Sequence, residues 1–277
     1  MANHKNQHYV PQFYLRNFSS DGKTIGMLLK GKNLTVPNAP IANQCSENFF
    51  YGNQELESAL GKIESKTSSV IKKVLEDKGL SNEDLSYLKQ FTIIQTYRTL
   101  QAAKRIKAIL ESLLSKQPIT DQEKTLYEEA STVGDKNSDV ILYSLKSAIS
   151  NEPYTEFWDI AILCNTTKVP FITSDNPSLF FNAYQLYRRE PFGYRTPGAE
   201  IYMPISSQYA VFLYDSLIYG VEEQDANTIY LEQENVLALN YHQILGANEA
   251  IYFEPGRINV QSDVYFSPKP LTFIHEL

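Results

Sequence analysis

From Gln54 to Gly79 the chain reads QELESALGKIESKTSSVIKKVLEDKG, and this stretch decides the fold class because the hydrophobic period changes within it. Leu56, Leu60, Ile63, Val70 and Val74 recur at helical spacing, and Gly79 supplies a C-terminal stop. Ser81-Asn-Glu-Asp then offers a capping-box start with Asp84 in the place usual for Glu. Leu85, Leu88, Ile94, Tyr97, Leu100, Ile106 and Leu110 carry the apolar face on to about Ser115. The spacing predicts one long helix over 82–115, roughly 50 Å at a rise of about 1.5 Å per residue. A third helical stretch starts at Thr120-Asp-Gln-Glu, breaks near Gly134 and resumes through Val140, Ile141, Leu145 and Ile149.

On either side of this helical middle the texture is that of strands. Residues 8–50 read as short extended pieces with a hairpin: His8 to Pro11, Thr24 to Leu29 after a Ser-Asp-Gly turn, and a loop holding Pro37 and Pro40. Beyond Pro153, Trp158–Asn165, Val169–Ser174, Ala199–Met203 and Tyr209–Tyr214 are β-branched and aromatic runs bounded by turn residues. A late helix over 232–248 follows a turn near Asp225, and strand-like Ala250–Phe253 and Asp263–Phe266 close the pattern. The predicted fold is α+β, with N-terminal and C-terminal strands forming a mixed sheet packed against a central bundle of long helices. A single domain over 1–277 is expected, divided into an extended segment 1–50, a helical segment 54–150 and a mainly strand segment 155–277.

Composition removes several classes of protein. With 277 residues, 43% hydrophobic, 12 Gly and 13 Pro, the chain is neither collagenous nor disordered, and 2 Cys cannot frame a disulfide scaffold. Cys45 and Cys164 each lack a second Cys at metal-ligand spacing. Met1 to His8 has no apolar leader core, and no run approaches the roughly 18 apolar residues of a membrane span. A cytoplasmic protein with no membrane partner is expected. Lys+Arg number 25 against 32 Asp+Glu, so the net charge of -7 gives no global attraction to nucleic acid. Local basic stretches remain at Arg98, Lys104, Arg105 and Lys107 and from Arg188 through Arg189 to Arg195; they read most simply as solvated faces. The 19 Tyr suit sheet faces better than a base-stacking surface, which would interleave them with Lys and Arg.

No phosphate-binding glycine loop, dinucleotide fingerprint, zinc-protease, serine-hydrolase or kinase signature is present. Four weaker features carry what chemistry there is. His8, Gln12 and Arg16 recur every fourth residue, so a helix opening at Pro11 would align three polar groups: an imidazole that can act as base, and a guanidinium that can grip phosphate. Asp175 and Asn176 occupy a polar turn at the end of the apolar run Val169–Ile172, where they could hold a metal or merely satisfy neighbouring backbone N–H groups ahead of Pro177. Glu57 and Glu64 lie seven residues apart at the border of an apolar helix face and could pair with Arg16 or Arg98. His242 lies on the late helix, where a lone histidine is more often a packed polar residue than a ligand.

The opening run His8-Tyr-Val-Pro-Gln-Phe-Tyr-Leu-Arg-Asn-Phe18, Arg98 in the second helical stretch and Phe171-Ile-Thr-Ser-Asp-Asn-Pro177 resemble the prokaryotic domain-of-unknown-function family 4238 over nearly the whole chain. Its members commonly open with two adjacent histidines, whereas this chain has Gln7 before His8. The resemblance implies a bacterial cytoplasmic origin and marks His8, Gln12, Arg16, Arg98, Asp175, Asn176 and Pro177 as one unit; it implies no activity.

Two readings of that unit follow. In one, the protein is a metal-dependent hydrolase of phosphoesters acting on nucleic acid or nucleotide. Asp175 with Glu57 or Glu64 would hold Mg²⁺ or Mn²⁺, His8 would be the base, and Arg16 and Arg98 would stabilise phosphoryl charge. In the other, it is a non-catalytic binding or sensor module whose His, Arg and Asp form a structural polar network. A protein partner docking on the helix 82–115 is a third possibility.

Overall fold

Helix boundaries follow the polar residues that cap them. In the computed structural model, which describes residues 6–116, 118, 120–134, 136–151, 155–182, 193, 195–221, 227–258 and 271–276, Asn53 opens α2 (Gln54–Leu75) by accepting hydrogen bonds from the Glu55 and Leu56 amides. Ser81 and Asp84 form the expected capping box of α3 (Asn82–Gln95), and Asp84 also takes Lys73 Nζ at 2.7 Å, which pins the end of α2 to the start of α3. Thr120 and Glu123 form a second box at α5 (Asp121–Ser131), and α6 (Asn137–Asn151) resumes after Gly134 as the pattern requires. Ahead of these helices, α1 is the single turn Gln12–Leu15.

The long helix predicted over 82–115 is two helices. Thr96 ends α3 by bonding back to Ile93 O at 2.8 Å, and Thr99 opens α4 (Leu100–Leu114) by accepting from the Ala102 amide. Threonine hydroxyls compete for the helix backbone, and two of them three residues apart break a helix whose apolar period runs straight through. Much of α3 is buried, so the stretch 82–115 presents no single continuous helix face.

The fold is α+β. Strands β1 (Asn6–His8) and β4 (Ser46–Asn48) pair antiparallel. The hairpin β2 (Thr24–Leu29) and β3 (Leu34–Pro40) joins β12 (Ala250–Phe253) and β6 (Thr173–Ser174) in an antiparallel sheet ordered β3-β2-β12-β6. N-terminal and C-terminal strands therefore share a sheet. The mixed sheet is a separate one: β5 (Trp158–Asn165), β7 (Leu179–Phe181), β8 (Glu200–Pro204), β9 (Tyr209–Asp215) and β11 (Thr228–Leu231) lie in the order β11-β5-β9-β8-β7, with only β11 parallel to β5. A small pair, β10 (Tyr219–Val221) with β13 (Ile274–Glu276), lies beside them.

The mixed sheet is buried on both faces, which is why its strands read as unbroken apolar runs. Ile201, Met203, Val211 and Leu213 face the largest core cluster, which also takes Tyr14, Phe18, Leu88, Phe91 and Ile141 from the two preceding segments. The alternate residues Tyr202, Ala210 and Phe212 pack instead with Val236 and Leu239 of α7 (Gln233–Gly246). The residues between β6 and β7 connect the two sheets, so the Asp175-Asn-Pro turn is the crossover between them. The strand expected at Asp263–Phe266, the turn at Asp225 and the basic residues Arg188 and Arg189 lie outside the described residues.

Gly26 in β2 sits against β12 so closely that an added Cβ would come 2.5 Å from the Phe253 ring and 2.9 Å from its carbonyl oxygen. Gly26→Ala should therefore destabilise the protein by about 1–3 kcal/mol through overpacking. A denaturation midpoint equal to that of the wild type would contradict this.

Candidate functional site

Pro11, its φ locked, caps α1, and the helix continues as a tighter turn over Arg16–Phe18. One apolar row of this short element, Tyr14, Leu15 and Phe18, is fully buried. The opposite row is the polar one that the spacing predicts. Arg16 Nη2 donates to Gln12 Oε1 at 2.9 Å, and Gln12 Nε2 lies 3.2 Å from His8 Nε2. This row forms one wall of a groove of roughly 1040 Å³ whose other wall is α2, and His8, Gln12, Arg16, Glu57 and Glu64 all line it, with Tyr51 and Ser58.

The His8 ring has two partners that require opposite protonation of one atom. An unprotonated Nε2 accepts from the Gln12 amide, whose oxygen is already committed to Arg16; a protonated Nε2 donates to Ala42 O at 3.3 Å. Burial lowers the His8 pKa most, Ala42 O and Glu64 pull it back up, and Arg16 lowers it further, so the net shift is downward from 6.5. The neutral ring is thus the resting form at neutral pH.

The two acids of α2 are held from behind. Gln7, buried beneath the groove, donates from Nε2 to Glu57 Oε2 at 2.8 Å and accepts the Tyr51 amide on Oε1 at 2.8 Å. Gln7 thus steers Glu57 through its amide. Glu64 Oε1 accepts from Arg98 Nη1 at 2.7 Å. Arg98 is wholly buried, its Nε donates to Gln95 Oε1 at 2.7 Å, and its guanidinium lies 5.6 Å from the centre of the Phe91 ring. Burial opposes the Arg98 charge, but Tyr51 and Glu64 outweigh it and leave the group more basic than an exposed arginine. Tyr51, whose hydroxyl donates to His8 O, is pushed up to about 12 by its own burial.

Asp175 and Asn176 do not line the groove. Asp175 accepts the Asn248 amide at 2.8 Å on one oxygen and the Glu249 and Ala250 amides at 2.7 and 3.2 Å on the other, capping the chain between α7 and β12. Burial raises its pKa and these amides oppose the rise, leaving it above the ordinary carboxyl value. Asn176 accepts from Thr99 Oγ1 at 2.8 Å and donates to Gly246 O, so it ties the break between α3 and α4 to the end of α7. The metal set expected from Asp175 with Glu57 or Glu64 is therefore not assembled, because the Asp175 oxygens are spent on backbone. Among the described residues no group of three or more His, Cys, Asp or Glu is placed to hold a metal ion. His242 stacks on Phe181 with centroids 5.6 Å apart, and burial lowers its pKa; it is a packed residue.

Gln7, Tyr51 and Gln95 are the site residues that sequence reasoning missed. Gln95 carried a usable signal, since it precedes Arg98 by three residues. Nothing in the run Phe49-Phe50-Tyr51 separates the ring that supports His8 from its neighbours.

Two measurements check this description. Because the His8 pKa is lower in the folded than in the unfolded chain, its contribution to stability is complete above about 6.5 and is lost as pH falls through that value towards the native one. Imidazole NMR should place the His8 midpoint below 6.5, and Arg16→Gln should raise it; a midpoint above 6.5 would contradict the assignment. Asp175→Ala strands three backbone amides, that of Ala250 buried, and should cost about 3 kcal/mol in a chemical melt, without altering ligand affinity at the groove in the folded fraction.

Neither the curated proteins nor the solved structures contain a match to this chain. The family model described as "Protein of unknown function (DUF4238)" matches residues 6–257, a span that takes in both the groove and the crossover turn. The chain belongs to the DUF4238 family.

Proposed function

We propose that the groove binds a phosphate-bearing ligand and that the protein hydrolyses a phosphoester there, with His8 as base and Arg16 as the anion grip. The observation that carries this reading is the neutral His8 facing a large solvent-reachable groove beside an exposed guanidinium and two carboxylates. In the hydrolysis, a water attacks phosphorus while its proton passes to His8 Nε2, which has let go of the Gln12 amide. The P–O bond to the leaving group breaks, and the imidazolium returns the proton to the departing alkoxide. Arg16 meets the phosphoryl oxygens with paired N–H donors. Of the three carboxylates the sequence nominates for Mg²⁺ or Mn²⁺, only Glu57 and Glu64 face the groove. The net charge of -7 favours a nucleotide over a long polyanion as substrate.

The satisfied state of Asp175, and the use of Asn176 as a tie between helices, favour a second reading in which the groove binds without turnover.

Incubating the protein with nucleotides, single- and double-stranded DNA and RNA, with and without Mg²⁺ or Mn²⁺, separates the two. Hydrolysis is expected, with His8→Ala lowering kcat by about 10²-fold or more, and Glu57→Gln reducing any metal uptake seen by calorimetry. Binding of nucleotide without product in any metal condition would retire the hydrolase and leave the binding module.

A further inference from the structure

Among the described residues Arg98 is the largest fully buried side chain, yet its hydrogen bonding is incomplete. Nε reaches Gln95 and Nη1 reaches Glu64, each at 2.7 Å, and the Tyr51 side chain hydrogen-bonds to the same group, yet among the described residues Nη2 makes no well-formed hydrogen bond of its own. A buried charged donor left open is costly, and an arginine frequently closes its fork on both oxygens of one carboxylate. Here the contact is one-pronged. Of the three polar side chains that neighbour the guanidinium, Glu64 and Tyr51 line the groove and Gln95 does not, and the Glu64 side chain keeps 27% of its surface in solvent while Arg98 keeps 1%. Glu64 is thus an acid at the groove surface resting on a hidden cation that has a donor to spare.

We propose that Glu64 is an exchangeable internal anion: a phosphate group of the ligand displaces its carboxylate from Arg98 and bridges Nη1 and Nη2. The inference rests on the reading of the groove as a phosphate site and specifies its second anchor. Arg16 is exposed and grips first; Arg98, already desolvated, then meets the phosphate at an effective dielectric far below that of water. Glu64 has room to move, since it need only turn its long side chain towards the open groove. The exchange gives the site a threshold. A ligand must offer an anion that competes with a carboxylate already in place, which a fork-matched dianionic phosphate does and a neutral or singly contacting group does not. Arg16 in the groove and Arg98 buried behind it match the two groove carboxylates, Glu57 and Glu64, in number.

Inorganic phosphate is the probe, titrated by calorimetry into wild type, Glu64→Gln, Arg16→Gln and the double variant Glu64→Gln/Arg98→Met. Glu64→Gln keeps an oxygen on Arg98 but removes the competing charge, and it should bind phosphate about tenfold or more tightly than wild type. Adding Arg98→Met should erase that gain. Should the Met variant fail to fold, the wild type still decides: phosphate must shift the Arg98 Nε–Hε resonance in ¹⁵N NMR. Equal affinity in wild type and Glu64→Gln, with Arg16→Gln alone losing phosphate, would overturn the exchange while leaving the groove reading intact. The same holds if the Arg98 resonance stays still, meaning that trapped water completes the fork. Phosphate binding by none of the four proteins would end both.

Discussion

One guanidinium withdrawn from the surface organises the centre of the molecule. Arg98 is placed by a break between two helices, and the groups that reach it come from α2, from the turn before α2 and from the last residue of α3. A buried cation demands partners in fixed directions, because each donor left open is paid for at the low dielectric of the core. The break that supplies it is itself held by outside groups: Ser144 of α6 donates to Tyr97 O at 2.8 Å, Arg105 of α4 to Thr96 O at 2.9 Å, and Asn176 accepts from Thr99. Helices α2, α3, α4 and α6 therefore meet the crossover turn at this point, and the wall of the groove inherits its position from it.

The crossover turn does a different job from the one its residue types suggest. Asp, Asn and Ser at the end of a strand look like chemistry emerging at a sheet edge, yet here they complete the backbone of the chain between two sheets. Ser174 donates to Gln243, Gln243 donates to Pro177 O, and Asn240 both accepts the Ile172 amide and donates to Pro170 O. An irregular segment passing through the core loses water from every peptide group, so side-chain amides from α7 and the carboxylate of Asp175 take the place of a ladder. The polar residues at 170–177 are thus the condition for crossing from one sheet to the other. The side chains that face the groove come instead from the N-terminal row, where a short helix satisfies the backbone, and from α2.

Local rules were legible. Capping boxes at Ser81 and Thr120 began helices where the pattern put them, the change of period after Gln54 announced α2, and the four-residue interval from His8 to Arg16 became a hydrogen-bonded row. Each depends on neighbours within one or two turns, which a sequence displays directly. Apolar runs such as Tyr209–Asp215 could be read as strands, but not assigned faces, because both faces are buried and alternation disappears from the composition.

Sequence by itself determined the α+β class, the helical middle and the polar row opening at His8, since all three follow from short-range periodicity and capping. Tertiary structure alone decided that Arg98 leaves the helix surface for the core, that Glu64 and not Asp175 faces it, and that Asp175 ends on the amides of residues 248–250. The physical reason is one of range. A carboxylate takes the nearest unsatisfied donor in space, and the donors nearest Asp175 lie more than seventy residues along the chain, as its bonds to Asn248, Glu249 and Ala250 record.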